Sequence, residues 1–169
     1  MPGATDGLAI AAALCRRFEG LRLRPYLCPA GVATIGYGST RYEDNTPVRL
    51  TDPPITADRA EALLLHDLRT QRVAAVRRLC PAIDSPGRLG AVLDFAFNLG
   101  AGALAGSTLR RHINARAWGQ VPGELRKWVR GGGRVLPGLV KRREAESALC
   151  GSGPGKFGEV ERNPTTRSC

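Results

Sequence analysis

The sequence predicts an α+β chain, mostly helical, with one small hairpin near its N-terminus. Apolar residues recur at helical spacing in four stretches, about 7–18, 56–79, 86–99 and 137–150. Only the short run from Val32 to Tyr37 reads as strand, and Gly31, Gly36 and Gly38 bracket its turns. A length of 169 residues suits one domain, or two small lobes on a shared scaffold.

Taken in order, residues 1–6 read as a loose end. Asp6 is a candidate cap for a helix from about Gly7 to Phe18, with Leu8, Ala11, Ala12 and Cys15 on one face. Gly20 stops it, which leaves Glu19 at the helix C-terminus. The helix dipole disfavours a negative charge there, which suits a proton donor. Pro25, Pro29 and Gly31 break the next stretch into loop, Val32, Thr34 and Tyr37 follow as strand, and Arg41 to Pro54 reads as a further hairpin or loop. Thr56 opens one long helix to about Leu79, with Leu64, Leu68, Ala75 and Leu79 in phase and Pro81 as its stop. At ~1.5 Å per residue it exceeds about 30 Å, enough to bridge two lobes.

Ser85-Pro86 then reads as a cap with proline in the first turn, and Leu89, Val92, Leu93 and Ala96 form a core face that Gly100 ends. Short helices are expected around Leu104–Asn114 and Gln120–Val129, with a flexible break at Gly131 to Gly133. Pro137 starts a last helix, with Lys141–Glu144 and Arg142–Glu146 pairs expected on its exposed side, and Gly151 stops it. The remainder, 151–169, is rich in Gly, Pro, Ser and Thr and reads as a disordered tail.

Composition narrows the function classes. Twenty-five basic residues face fifteen acidic ones, for a net charge of +10, and only Lys127, Lys141 and Lys156 are lysines. Such a chain is drawn to polyanions, although an Arg-rich solvated surface accounts equally for the number. Basic and aromatic residues are not interleaved, so nucleic acid is not an expected partner. Five cysteines without a CxxC and only two histidines, His66 and His112, argue against a metal site, and no cofactor is expected. The apolar run from Leu8 to Leu14 is too brief for a signal peptide or a membrane span, so synthesis in the cytoplasm is expected.

The candidate chemistry lies in FEGLRLRPYLCPAGVATIGYGST, Phe18 to Thr40. Glu19, Cys28 and Thr34 stand with eight and then five residues between them. Singly, each has a bland reading: a solvated carboxylate, a small buried thiol, a good strand former. As a spaced set they resemble the signature of phage-type lysozymes, glycoside hydrolase family 24, in which the middle position is aspartate or cysteine. The surroundings resemble lambdoid-type phage endolysins, as do FAFNLGAGALAGSTLRRHIN (Phe95 to Asn114) and KWVRGGGRVLPGLVKRREAE (Lys127 to Glu146). The likeness covers about residues 7–150 in three blocks in the right order.

That resemblance implies a lysozyme-like fold: a sheet lobe of about 19–55, a linking helix of about 56–80, and a helical lobe of about 81–150 packed with the N-terminal helix. It implies a muramidase that hydrolyses the β-1,4 bond between N-acetylmuramic acid and N-acetylglucosamine in peptidoglycan. Glu19 would be the general acid, Cys28 would activate or steady a water, and Thr34 would help hold that water. The outcome would be inversion, with the two groups roughly 6.5–9.5 Å apart. Cys28 is either a thiolate base, helped by Arg22 and Arg24, or a polar neighbour of the water. Tyr37 and Gly38 would face the cleft from the sheet side, and Phe97 and Asn98 from the helical side. Asn98 reads equally as a helix-end residue beside a core Phe, and Trp128 reads better as core. Ser39 stands where relatives commonly have His, with an expected effect on cleft shape. The implied partner is the glycan strand, with electrostatic contact to an anionic envelope, and the protein would be a monomer released to the periplasm through a holin. The rival reading is a peptidoglycan-binding relative that keeps the fold without catalysis.

Overall fold

The structure is a computed structural model that describes residues 2–151, with side chains from Thr5 onward. Of the expected disordered tail, Gly151 is helical and the rest lies outside the described residues. Helix α1 spans Pro2–Glu19. It begins earlier than expected, so residues 2–6 are helical and Asp6 lies inside the helix instead of capping it. The C-terminal end falls as expected, because Gly20 takes a φ of 73° that an L-residue resists.

Strand β1 (Arg22–Leu27) pairs antiparallel with β2 (Ala33–Gly36). Leu27 faces Ala33, Tyr26 faces Thr34 and Arg22 faces Gly36, with the register broken between Arg22 and Tyr26. β1 was expected as loop. Pro25 interrupts the ladder locally, but a two-stranded hairpin tolerates proline because both strands are edges. From Arg41 to Pro54 the chain is loop, tied by an isolated bridge between Arg41 and Pro47.

The expected single linking helix is three pieces. Helix α2 (Ala57–Asp67) is capped by the Thr56 side chain, which accepts from Arg59 N–H. A π turn, Leu68–Arg72, follows, closed by the Val73 N–H donating to Leu68 O, and α3 runs Val73–Leu79. The extra residue in the turn rotates the downstream face. Helix α4 (Pro86–Leu99) is capped by Ser85 and ended by Gly100 at φ 87°. Helices α5 (Ala101–Ala105), α6 (Thr108–Asn114) and α7 (Val121–Leu125) are short. The expected flexible break at Gly131–Gly133 is instead a tight hairpin, β3 (Arg130–Gly131) with β4 (Arg134–Val135). Gly132 and Gly133 both have positive φ, the geometry that two-residue hairpin turns need. Helix α8 spans Pro137–Gly151.

Two apolar clusters result. The large one gathers α1, α4, α5–α7, the inner faces of α2, the π turn and α3 (Leu64, Leu68 and Val76) and Cys150 of α8, with Phe95, Leu93, Leu104 and Ile113 fully buried. The small one is Ile35, Val48 and Leu63 beneath the first hairpin. Trp128 packs edge-on against Phe95 at 5.3 Å, a core role as expected. The most extensive helix contact is α1 against α4. Glycines set its spacing: a Cβ on Gly90 would lie 2.7 Å from Ile10 Cβ, and one on Gly7 would lie 2.8 Å from Leu89 Cδ2.

α8 departs from the expected pattern. Arg142, Arg143, Glu146, Ser147 and Cys150 are buried on it, so the Arg142–Glu146 pair expected on its exposed side does not form. Glu144, on the outer face, instead pairs with Arg126 at 2.7 Å. The physical reason is a buried acid on α4, Asp94, which draws Arg142 inward.

Gly90→Ala should be overpacked at the α1–α4 crossing and lose about 1–3 kcal/mol or more of stability. Thermal unfolding followed by circular dichroism measures this, with Gly102→Ala as the control, since a Cβ there meets nothing within 4 Å.

Candidate active site

A cleft of about 310 Å³ opens between the first hairpin and the helices. Glu19, Gly38, Ser39, Thr40, Arg41, Asp67, Gln71, Arg72, Phe97 and Asn98 line it. Four of the seven residues expected at a site are therefore brought together: Glu19, Gly38, Phe97 and Asn98. Cys28 and Thr34 meet each other on the hairpin, outside that lining. Tyr37 is partly buried and packs against the large apolar cluster.

Glu19 reaches the cleft from the last residue of α1. Its Oε1 accepts from Arg142 Nη1. Its Oε2 lies toward Gly38, where an added Cβ would come within 4.0 Å of it. One carboxyl oxygen is thus tethered and the other lies beside Gly38 on the cleft wall. Gly38, at φ 103°, has no side chain to crowd that oxygen.

Arg142 is itself held from below. It donates to both Asp94 oxygens, Nε to Oδ2 at 2.8 Å and Nη2 to Oδ1 at 2.7 Å, and Asp94 is fully buried. Cys15 on α1 adds a thiol donor to Asp94 Oδ1 at 3.3 Å. Burial works against the Arg142 charge, but the bonds and charges of Asp94 and Glu19 outweigh it and hold its pKa above the ordinary arginine value. Burial first, and then the Asp94 charge, push the Cys15 thiol far up. Removing Arg142 would strand a buried carboxylate, a loss of about 3–5 kcal/mol.

Cys28 sits at the end of β1, partly exposed. Its thiol pKa is lowered by the backbone of Val32, then that of Ala30, with the Thr34 hydroxyl adding to them. The expected helpers are not the cause: Arg22 stacks on the Tyr26 ring at 4.7 Å. Backbone around the 28–32 turn supplies the stabilisation instead, since Gly31 N–H donates to Cys28 O and Cys28 N–H donates to Val32 O, which tightens the loop about the sulfur. Thr34 is 2% exposed and its hydroxyl donates to Val32 O at 2.9 Å.

The helical wall of the cleft comes from the π turn. Arg72 Nε donates to Asp67 Oδ2 at 3.1 Å and its guanidinium lies 5.8 Å from the Phe97 ring centre. On the opposite side, Arg41 donates to Asn45 O at 2.8 Å. Sequence reasoning missed Arg142, Asp94, Asp67, Gln71, Arg72 and Arg41. For Asp94 a signal existed: an acid amid Leu89, Val92, Leu93 and Ala96 must be paired if that face is core. For Arg142 none existed, because a basic residue in a charged helix reads as solvated.

Comparison with known proteins bears on the family and the fold. The phage lysozyme family model matches residues 16–146. An endolysin of Acyrthosiphon pisum secondary endosymbiont phage 1 is 36% identical over 140 residues, covering 80% of this chain and 91% of that protein. A SAR-endolysin of bacteriophage PS119 is 36% identical over 155 residues, covering 88% and 80%. Among solved structures, an endolysin from Escherichia coli O157:H7 phage FAHEc1 superposes with a TM-score of 0.74 at 30% identity, covering 83% of this chain and 90% of that one. With the family model matched from the end of α1 to the middle of α8, and that likeness running through both walls of the cleft, this chain belongs to the phage lysozyme family.

Proposed function

We propose that the chain is an endolysin-type muramidase, cleaving the β-1,4 bond between N-acetylmuramic acid and N-acetylglucosamine in peptidoglycan, with Glu19, Cys28 and Thr34 as its catalytic residues. The observation that carries this is Glu19 at the mouth of an open cleft, one carboxyl oxygen tied to Arg142 and the other facing Gly38. A glycan strand lies between Gly38 on one side and Phe97 and Asn98 on the other. Glu19 hands a proton to the departing glycosidic oxygen as positive charge grows on the sugar ring. Cys28, as thiolate, takes a proton from water that attacks the opposite face, and the Thr34 hydroxyl helps to hold that water. The departing sugar leaves as an alcohol, water supplies the new anomeric hydroxyl, and configuration inverts.

The support for a thiolate is the hairpin itself, whose Val32 and Ala30 backbone and Thr34 hydroxyl favour the charged sulfur. The rival reading, a relative that binds the wall without cutting it, is not favoured, because the relatives that this chain matches over most of its length are endolysins. The net charge of +10 supports approach to an anionic envelope. Among the described residues no helix is long and apolar enough to cross a membrane. We infer that the chain works as a monomer on periplasmic peptidoglycan after release through a holin.

Glu19→Gln should lower release of reducing ends from purified sacculi by about 10²–10⁴-fold, the usual worth of a positioned general acid. Cys28→Ser should weaken hydrolysis, and Cys28→Asp should retain most of it. An active Cys28→Ser beside an inactive Cys28→Asp would refute the role of this position.

The thiolate is the working form, so activity should fall as pH drops through the lowered Cys28 pKa. Cys28→Asp should move that acid limb to lower pH, read from initial rates across pH 5–9. Iodoacetamide should label Cys28 in the native protein at a lower pH than a free thiol requires and inactivate in parallel. Cys80 and Cys150, buried and pushed up to about 11 and about 12, should label only after unfolding, as peptide mapping would show.

A further inference from the structure

Helix α8 sends two consecutive arginines inward. Arg142 serves Glu19. Arg143, about 100° further round the helix, points to a second group of the cleft. It is 0% exposed and pairs with Glu146, also 0% exposed, at 2.8 Å. The same Nη2 donates to Asn98 Oδ1 at 3.0 Å, and the guanidinium lies 5.1 Å from the Phe95 ring centre.

As a purely structural clamp between α8 and α4 this pair is poorly made. Arg143 Nε and Nη1 and Glu146 Oε2 are buried without a hydrogen-bond partner. Two apolar side chains of similar volume would commonly hold such a position as well or better. What the pair does, and an apolar pair cannot, is determine which end of Asn98 faces inward. Arginine only donates. Asn98 must therefore turn its oxygen to Arg143, which leaves its amide N–H₂ toward the cleft that Asn98 lines.

We propose that Arg143, anchored by Glu146, is a positioning residue that orients Asn98 as a hydrogen-bond donor to an acceptor oxygen of the bound N-acetylated glycan. This rests on the muramidase reading for the identity of the ligand. Asn98 touches the substrate, while Arg143 and Glu146 act through it. The pair also keeps Asn98 from rotating its amide by half a turn, which would present an acceptor where the glycan meets a donor.

The probe is tetra-N-acetylchitotetraose, titrated into ¹⁵N-labelled protein while the Asn98 side-chain amide signals are followed. In the wild type those signals should shift on binding. In Arg143→Met/Glu146→Leu, which removes both ionisable groups at similar volume, the melting temperature should hold within a few degrees. The Asn98 response should be lost and KM on soluble peptidoglycan fragments should rise about three- to tenfold, with kcat changed less than twofold. Adding Asn98→Ala to that variant should raise KM no further. Asn98→Asp decides the polarity even if the paired variant does not fold. It keeps an oxygen for Arg143 but offers the glycan an acceptor, so tetrasaccharide affinity should fall about three- to tenfold with no loss of melting temperature. Unchanged affinity in Asn98→Asp, a folded paired variant with wild-type KM, or no Asn98 response to the sugar in wild type would each overturn the proposal. A wild type that binds the tetrasaccharide through Asn98 yet releases no reducing ends from sacculi would sink the muramidase reading and leave this one standing.

Discussion

The site depends on one buried guanidinium. Arg142 binds both oxygens of Asp94 and one oxygen of Glu19, so it joins the middle of α4, the end of α1 and the body of α8 at a single planar group. A bidentate arginine–carboxylate pair is directional as well as strong, and it aims the third contact. Behind Glu19 the helix ends, and Gly20 at φ 73° turns the chain away. The close α1–α4 contact at Gly7 and Gly90 is what lets Cys15 on α1 reach the same acid. Packing and electrostatics therefore converge, and the aim of the carboxyl follows from how tightly two helices approach.

The hairpin works by a different physics. Nothing charged holds Cys28. The stabilisation of a thiolate there comes from backbone and hydroxyl groups brought round by a five-residue turn, which Gly31 at φ 75° makes possible. Such a cradle is indifferent to whether the anion it receives is sulfur or oxygen.

Much of the frame was legible in the residues. Gly20, Ser85-Pro86, Gly100 and Pro137 are punctuation with local causes, and each falls at or beside a helix boundary. The Glu19, Cys28 and Thr34 spacing was legible as a set, since a turn and a strand determine how the last two meet. The inward face of α8 was not. Arg142, Arg143 and Glu146 look like solvated charge in sequence, and only the buried Asp94 and the cleft-lining Asn98, both on another helix, reverse that reading. The π turn was equally invisible, because apolar spacing through Leu64, Leu68 and Leu79 also satisfies an unbroken helix.

That turn has a consequence for how the long strut is built. Before the turn, α2 already faces two ways: Leu63 joins the small Ile35–Val48 cluster, while Leu64 and Leu68 join the large one. Past the extra residue wound in at Leu68–Arg72, Val76 again faces the large cluster, and Asp67, Gln71 and Arg72 come onto the cleft wall. Phase, and not length, is the quantity this segment adjusts.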